Sequence, residues 1–478
     1  MNIYIPIEIK ARELEGRGLL AVAAAERGHL VILGDKNDTR GLCKKGLLPR
    51  GILHEKSLTP SKSTVKYFNK LSENGYVITS QDEESGLVND EYSEFAKGRF
   101  SKKTLSSTQR VFSWGKYDND CLKKIYKKHS DRFVESGSPR VDFWREDFEP
   151  YFSNTPNVLK NVNKPYIFIP SNFSFLLGED RIWNIIARMR FAGYFERGKG
   201  GEYDEFRLYE DMSFRIRLIG EFVKMVRAIA DTFKELEIIL RPHPVEIEDA
   251  WVKMLGDIPN VKVIRDGGIS GWIRNAEIVI NNGCTSALEA AACGIKRIAY
   301  RPFESDYENK IPNEVCHHAD NLDELISIVE KMLKDQSLSD DDRVAMKTNE
   351  ILRSRFSNLT GKLAADRIAE EWEKIDHPSL KTQSTIEELL NSRKQDKPSL
   401  LYQLKRYAAK LKNLILLNKT ESDEKEQLLF NPNKFPDLKE EEIEHILVNL
   451  RHTLNRFHDV RYRRFGEKSF ILYKDSKK

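Results

Sequence analysis

The first thirty-four residues, 1–34, read MNIYIPIEIKARELEGRGLLAVAAAERGHLVILG. NIYIPIEI (2–9) has the composition of a strand, 12–27 places its apolar side chains on one helical face, and LVILG (30–34) is a second strand. Together they form a β-α-β opening. The alternation continues through short strands at GILHEK (51–56), GYVITS (75–80), RVFSW (110–114) and RFVESG (132–137), with helical stretches at 63–74 and 117–128. Strands alternating with helices imply a parallel sheet covered on both faces, the doubly wound arrangement.

Around 145–165 the chain turns loop-like, and YIFIP (166–170) starts a second α/β series. A long helix is expected at 211–236, where Leu218, Phe222, Met225, Val226, Ile229 and Phe233 fall at helical spacing. Strands follow at EIIL (237–240), VKVIR (261–265), EIVIN (277–281) and RIAYR (297–301), with helices at 246–255, 270–275, 286–293 and 362–375. The expected organisation is a Rossmann-like domain at 1–160, a second at 161–378, and a mainly helical extension at 379–478. Within that extension, LLYQLKRYAAKLKNLILLNK (400–419) is basic and amphipathic, with no acid. It suits either an anionic membrane surface or packing against the protein body. A helix at 438–457 and a basic strand or hairpin in RYRRFGEKSFILY complete the chain.

Composition narrows the class. The 478 residues allow two or three domains, and 78 basic against 74 acidic side chains leave a net charge of only +4, which gives no global case for nucleic acid. The N-terminus lacks the n-region and h-region of a signal peptide, and no run of eighteen apolar residues follows, so a cytosolic protein is expected. Cys43, Cys121, Cys284, Cys293 and Cys316 are scattered without C-x-x-C spacing, suggesting neither a disulfide framework nor a zinc site.

Ligands of open α/β sheets bind beyond the carboxyl ends of the strands, and four polar clusters stand there. LRPHP (240–244) ends a strand on Arg241 and His243, with Pro242 and Pro244 stiffening the loop. Both side chains can donate to phosphoryl oxygens. EIVINNGCTSALEAAACG (277–294) is a strand, a turn and a helix. In it Gly283 permits close backbone approach, Thr285 or Ser286 can cap the helix, and the N-terminus can receive an anion. Glu289 on the first turn can reach a ribose hydroxyl or favour the helix dipole. Asp82, Glu83 and Glu84 follow strand GYVITS, where mutual repulsion can raise one carboxyl pKa as acid/base chemistry requires. Glu8 and Arg12 follow the first strand, and Ser138 and Arg140 follow the strand at 132–137; these are expected to line a cleft or to cap helices.

In their order along the chain, DEESG (82–86), RPHP (241–244) and CTSALEA (284–290) resemble the motifs of bacterial polysialyltransferases and capsule Kdo transferases. IPIEIKARE, SGSPRVD (136–142), RPHPVE and NNGCTSALEA extend the likeness to the family called surface carbohydrate biosynthesis proteins, over about residues 1–375. SGSPR also resembles a turn of teichoic-acid glycerophosphotransferases. The resemblance implies a glycosyltransferase B fold, a nucleotide-sugar donor, and an oligosaccharide or lipid-linked acceptor of a capsule, O-antigen or similar surface glycan. It assigns the donor phosphate to His243, Thr285 and Ser286, the ribose to Glu289, and catalysis to Asp82 or Glu83. Glu84 and Ser85 intervene before Gly86, a departure from the sialyl pattern that leaves open which carboxylate acts.

A CMP-activated ulosonic acid would need one phosphate receptor, which Arg241, His243 and the helix N-terminus supply. No D-x-D-like pair stands at a strand end, so neither a metal nor another cofactor is expected. The alternatives are a UDP-sugar 2-epimerase, a glycerophosphotransferase-like polymerase, and a scaffold of the assembly machinery attached through 380–478.

Overall fold

The β-α-β opening is realised as β1 (Asn2–Ile7), a helix over Lys10–Glu26 and β2 (Leu30–Asp35), the two strands pairing in parallel with Asn2 opposite Leu30 and Ile7 opposite Asp35. This is seen in a computed structural model describing residues 1–87, 92–153, 162–178, 182–191, 195, 205–395 and 435–475. The basic stretch 400–419 lies outside the described residues. β3 (Ile52–Glu55), β4 (Val77–Gln81), β5 (Arg110–Ser113) and β6 (Phe133–Glu135) extend the parallel sheet in the order β2-β1-β3-β4-β5-β6.

A second parallel sheet holds β7 (Tyr166–Pro170), β8 (Glu237–Arg241), β9 (Val261–Val263), β10 (Ile278–Asn281), β11 (Lys296–Tyr300) and β12 (His317–Ala319), in the order β12-β11-β10-β7-β8-β9. Alternate residues serve opposite faces. Ile167, Ile169, Ile238, Leu240, Ile278 and Ile280 pack with Leu218, Phe222 and Met225 of the helix Glu205–Thr232. Tyr166, Phe168, Ile239 and Val279 pack with Trp272, Ile273 and Ala290 on the other side. Both faces are therefore covered, which is why these strands read as continuous apolar runs.

The division of the chain differs from the expected boundaries at 160 and 378. One unit comprises Met1–Tyr151 together with Arg353–Lys478, and the other is Phe152–Leu352. The helix Ala364–Glu373, which sequence assigns to the second domain, packs on the first for identifiable reasons. The buried Asp142 carboxylate accepts from the N–H groups of Ala364 (2.9 Å) and Ala365 (3.1 Å), capping that helix from another part of the chain. Asn358 donates to Asp142 at 2.6 Å and to the carbonyl of Ser138 at 3.0 Å. Trp372, fully buried, donates from Nε1 to Thr79 at 3.1 Å and stands edge-on to His54.

The C-terminal hairpin also belongs to the first sheet. β13 (Val460–Gly466) and β14 (Ser469–Lys474) pair antiparallel, and β14 adds antiparallel to β2 with Ser469 opposite Gly34. A Cβ at position 34 would lie 2.4 Å from that of Ser469, so the glycine ending LVILG is what lets the hairpin close. The extension is helical over Ile386–Lys394 and Glu440–Leu454, and its last element is this sheet-completing ribbon.

Replacing Asp142 by Ala leaves three donors unmatched in the interior. Urea unfolding should show a loss of roughly 2–4 kcal/mol, and an unchanged midpoint would show that the helix Ala364–Glu373 docks without its cap.

Candidate functional site

In the second sheet the order 9-8-7-10-11-12 reverses at the β7–β10 pair, so helical connections leave in opposite directions there and open a crevice at the carboxyl ends of those strands. Three loops meet at this edge, following β7 (Ser171–Phe173), β8 (Pro242–Val245) and β10 (Asn282–Thr285).

Glu246 fastens the first two loops together. Fully buried, it accepts from the N–H of Phe173 (2.6 Å), from Nε1 of Trp251 (2.8 Å) and from the hydroxyl of Ser171. Burial pushes its carboxyl pKa up, and these hydrogen bonds pull against that rise. Ser171 Oγ in turn accepts the N–H of His243 at 3.1 Å. Nδ1 of His243 accepts from the N–H of Val245 at 3.4 Å, which places the proton of the neutral ring on Nε2. Arg241, expected to meet phosphate beside it, is 5% exposed and donates to the carbonyls of Asp266 (2.7 Å) and Gly267. With two of its nitrogens it braces that loop.

The turn after β10 is held by five asparagines. Asn281 donates to the carbonyl of Ile298 and accepts the N–H of Cys284, both at 3.2 Å. Asn282 donates to the carbonyl of Tyr300 at 2.8 Å. Gly283, at φ +62°, has its carbonyl bonded by Asn309 (2.9 Å) and Asn172 (3.3 Å) and its N–H accepted by Asn313 (2.6 Å). A Cβ there would sit 2.9 Å from Cβ of Asn309, so the expected close backbone approach is real, though the neighbour is protein. Asn172 ties the β7 loop to the β10 turn, and the adjacent Ser171 ties the same loop to the backbone of His243.

Thr285 stands at the N-cap position without making a cap hydrogen bond, and Ser286 donates to Sγ of Cys284 at 3.0 Å. The helix they begin, Ser286–Ala292, is seven residues long. Glu289 on it is 1% exposed, so a ribose would have to reach the floor of the turn to meet it. Ser171, Asn172, Glu246, Asn309 and Asn313 were not singled out by sequence. The strand-end position of the Ser171–Asn172 pair, directly after YIFIP, was the available signal.

In the first sheet the order 2-1-3 reverses at the β1–β3 pair, and a lattice of charges fills that edge. Lys56, following β3, reaches Glu8 at 3.0 Å and Glu13 at 3.1 Å, and Lys36 reaches Glu8 at 2.9 Å. Burial opposes ionisation of Glu8, but Lys56 and Lys36 hold its carboxyl well below the usual range. Arg17 pairs with Glu83 at 2.8 Å, and Arg12 with Glu84 at 2.9 Å. Burial likewise opposes ionisation of Glu84, and Arg12 and Arg99 outweigh it.

Asp82 is placed differently from its two neighbours. It is 3% exposed; Oδ1 accepts the N–H of Glu84 at 2.9 Å, whereas Oδ2 makes no hydrogen bond and has Arg99 Nη1 3.6 Å away. Burial pushes its pKa up to about 6, against the pull of Arg99. Glu83 and Glu84 are thus bonded to arginines, whereas Asp82 faces Arg99 at longer range and keeps one oxygen without a hydrogen bond.

Ser138 and Arg140 share with Arg12 and Glu83 the wall of a cavity of about 10 Å³ in this unit. Their motif has a further structural task. Gly137, at φ +81°, packs against Asn358, and Ser138 accepts from the N–H of Arg140 at the start of the short helix Pro139–Asp142. No helix among the described residues is long and apolar enough to cross a membrane.

No family model matches the chain, and no curated protein matches it in sequence. Among solved structures it is similar to S. aureus MnaA in a co-structure with UDP, at 13% identity over 80% of this chain and 100% of that one, with a TM-score of 0.44. It is also similar to the Methanocaldococcus jannaschii UDP-GlcNAc 2-epimerase in complex with UDP-GlcNAc and UDP, at 14% identity over 78% of this chain and 99% of that one, TM-score 0.41. A third is the wall teichoic acid polymerase TagF, at 10% identity over 78% of this chain and 88% of that one, TM-score 0.47. The functional reading rests on the strand-end geometry.

A folded-state pKa above the unfolded value means that Asp82 costs stability as pH rises through the interval between the two. Asp82→Asn should therefore be more stable than the parent, with a gap that widens from pH 4 to 6 and levels off at roughly 1–3 kcal/mol by pH 7. Urea unfolding across that range checks it, and a variant less stable than the parent at pH 7 would make Asp82 a structural residue.

Proposed function

We propose that this chain is a glycosyltransferase of surface polysaccharide assembly, taking a nucleotide-activated sugar, with a CMP-linked ulosonic acid as donor. The observation that carries the reading is the contrast between the two sheet edges. The β7–β10 edge is rich in neutral hydrogen-bonding groups, while after β4 the buried Asp82 keeps one carboxyl oxygen without a hydrogen bond, beside the Arg12–Glu84 and Arg17–Glu83 pairs.

In this reading Nε2–H of His243 and the hydroxyl of Thr285 donate to the phosphoryl oxygens of the donor, and Ser286 joins them when its hydroxyl turns from Sγ of Cys284. They stabilise the charge that develops as the nucleoside monophosphate leaves. A loop fixed by Ser171 and Glu246 holds the imidazole, so little reorganisation accompanies the step. Asp82 acts as the base for the acceptor hydroxyl. At pH 7 it is mostly ionised, yet more basic than an ordinary carboxylate. Leaving-group charge is met by these donors, and the proposal requires no metal. Glu83 and Glu84 orient the arginines around Asp82.

Two measurements test this. Calorimetry against CMP, UDP and CDP-glycerol should show preference for CMP; preference for UDP would move the reading to the UDP-sugar 2-epimerases, and preference for CDP-glycerol to the glycerophosphotransferases. CMP release from a CMP-ulosonic acid should fall at least about 100-fold in His243→Ala and in Asp82→Asn, with an acid limb near pH 6 in the parent. Parent-like turnover in either variant would remove that residue from the site.

A further inference from the structure

Of the five asparagines around the Gly283 turn, four have their side-chain amide nitrogens engaged. Asn172 and Asn309 donate to the carbonyl of Gly283, Asn281 to that of Ile298 and Asn282 to that of Tyr300. Asn313 differs. Its Oδ1 accepts the Gly283 N–H at 2.6 Å, but its Nδ2 has no hydrogen-bond partner, although the residue is only 2% exposed. Turning the amide over would bring two donors face to face at Gly283, so the orientation is fixed by chemistry.

The backbone of Asn313 is fixed as well. His318 Nε2 donates to the Asn313 carbonyl at 3.0 Å, and His318 Nδ1 accepts from Arg301 at 3.2 Å. Burial, and then Arg343, lower the pKa of His318, which keeps the ring in the neutral form this arrangement needs. Arg301 is in turn held by Glu308 at 2.7 Å. A rigid chain of groups thus presents one unmade donor beside the turn at which sheet order reverses. Holding Gly283 needs only an acceptor, which Asp would also provide; the amide's other half carries a desolvation cost with no return inside the protein.

We infer that Asn313 is a ligand-binding residue of the β7–β10 crevice, its Nδ2 donating to an oxygen acceptor of the bound nucleotide. The inference rests on the nucleotide-donor reading above and adds to it a recognition point that no motif marked. A phosphoryl oxygen or a nucleobase carbonyl offers the same acceptor chemistry, and the arms of the test separate them.

The experiment is calorimetry of CMP, UMP, UDP and uncharged cytidine with the parent, Asn313→Asp and Asn313→Ser. Asp retains an acceptor for Gly283 and loses the Nδ2 donor, so this variant should stay folded, melting below the parent by what a buried carboxyl costs, and bind its preferred nucleotide at least tenfold more weakly. Ser lacks the reach to Gly283 and adds no charge; it should lose both thermal stability and affinity, which distinguishes a lost donor from anionic repulsion by Asp. If cytidine binding falls in parallel with CMP binding, the acceptor is on the nucleoside; if only CMP binding falls, it is on the phosphate. Nucleotide affinity in Asn313→Asp within twofold of the parent would overturn the inference and assign Nδ2 to an ordered water, leaving the nucleotide reading intact. Failure of the parent itself to bind any of the four would overturn both.

Discussion

Where the strand order of a parallel sheet reverses, the helices that follow neighbouring strands leave toward opposite faces, and the carboxyl ends between them go uncovered. Polar groups that would be costly under a helix can stand there, and the two polar clusters described above stand at or beside such an edge. The first sheet reverses at β1–β3 and the second at β7–β10. Glu8 and Lys56 flank the first, and Asn172 and Gly283 flank the second. Each pair bridges its gap directly.

The two edges solve the problem of buried polarity in different ways. At β1–β3, acids and bases neutralise one another in a lattice in which Glu8, Lys56 and Arg12 each have two partners of opposite charge. Such a lattice fixes geometry, and beside it burial pushes the Asp82 pKa up to about 6. At β7–β10 the groups are mostly amides, hydroxyls and one imidazole, bonded to backbone carbonyls and N–H groups. Arg241 and Glu246, the charged groups beside them, bond to carbonyls and to N–H donors of the protein, which stiffens that edge further.

Much of this architecture was legible in the sequence, because strands buried on both faces announce themselves as apolar runs. YIFIP (166–170) became β7 at the same bounds, and the β-α-β opening lies within a few residues of its reading. The strand-end rule expects His243, Asp82 and the NNG turn at strand ends, and they stand at the ends of β8, β4 and β10. Three things could not be read. β12, three residues long and written His317–Ala319, has no apolar pattern to betray it. The roles of Asn309 and Asn313 depend on a chain return some thirty residues after the glycine they hold, a distance along the chain that local pattern does not encode. The grouping of 353–378 with the first unit turns on Asp142 and Thr79, polar residues whose partners are more than two hundred positions away. Arg241 shows the converse: its position at a strand end was read correctly, but two of its donors go to the carbonyls of Asp266 and Gly267.

The hairpin that closes against Gly34 also sets an order of events during synthesis. The second unit is continuous, so all its strands exist once residue 352 has been made. The first unit begins earlier and finishes later, since the free side of β2 stays open until Ser469–Lys474 arrives. Until then β2 presents an unpaired strand edge. A ribosome-bound chain of this sequence is therefore expected to carry a finished later unit beside an unfinished earlier one, reversing the usual N-to-C order of domain completion.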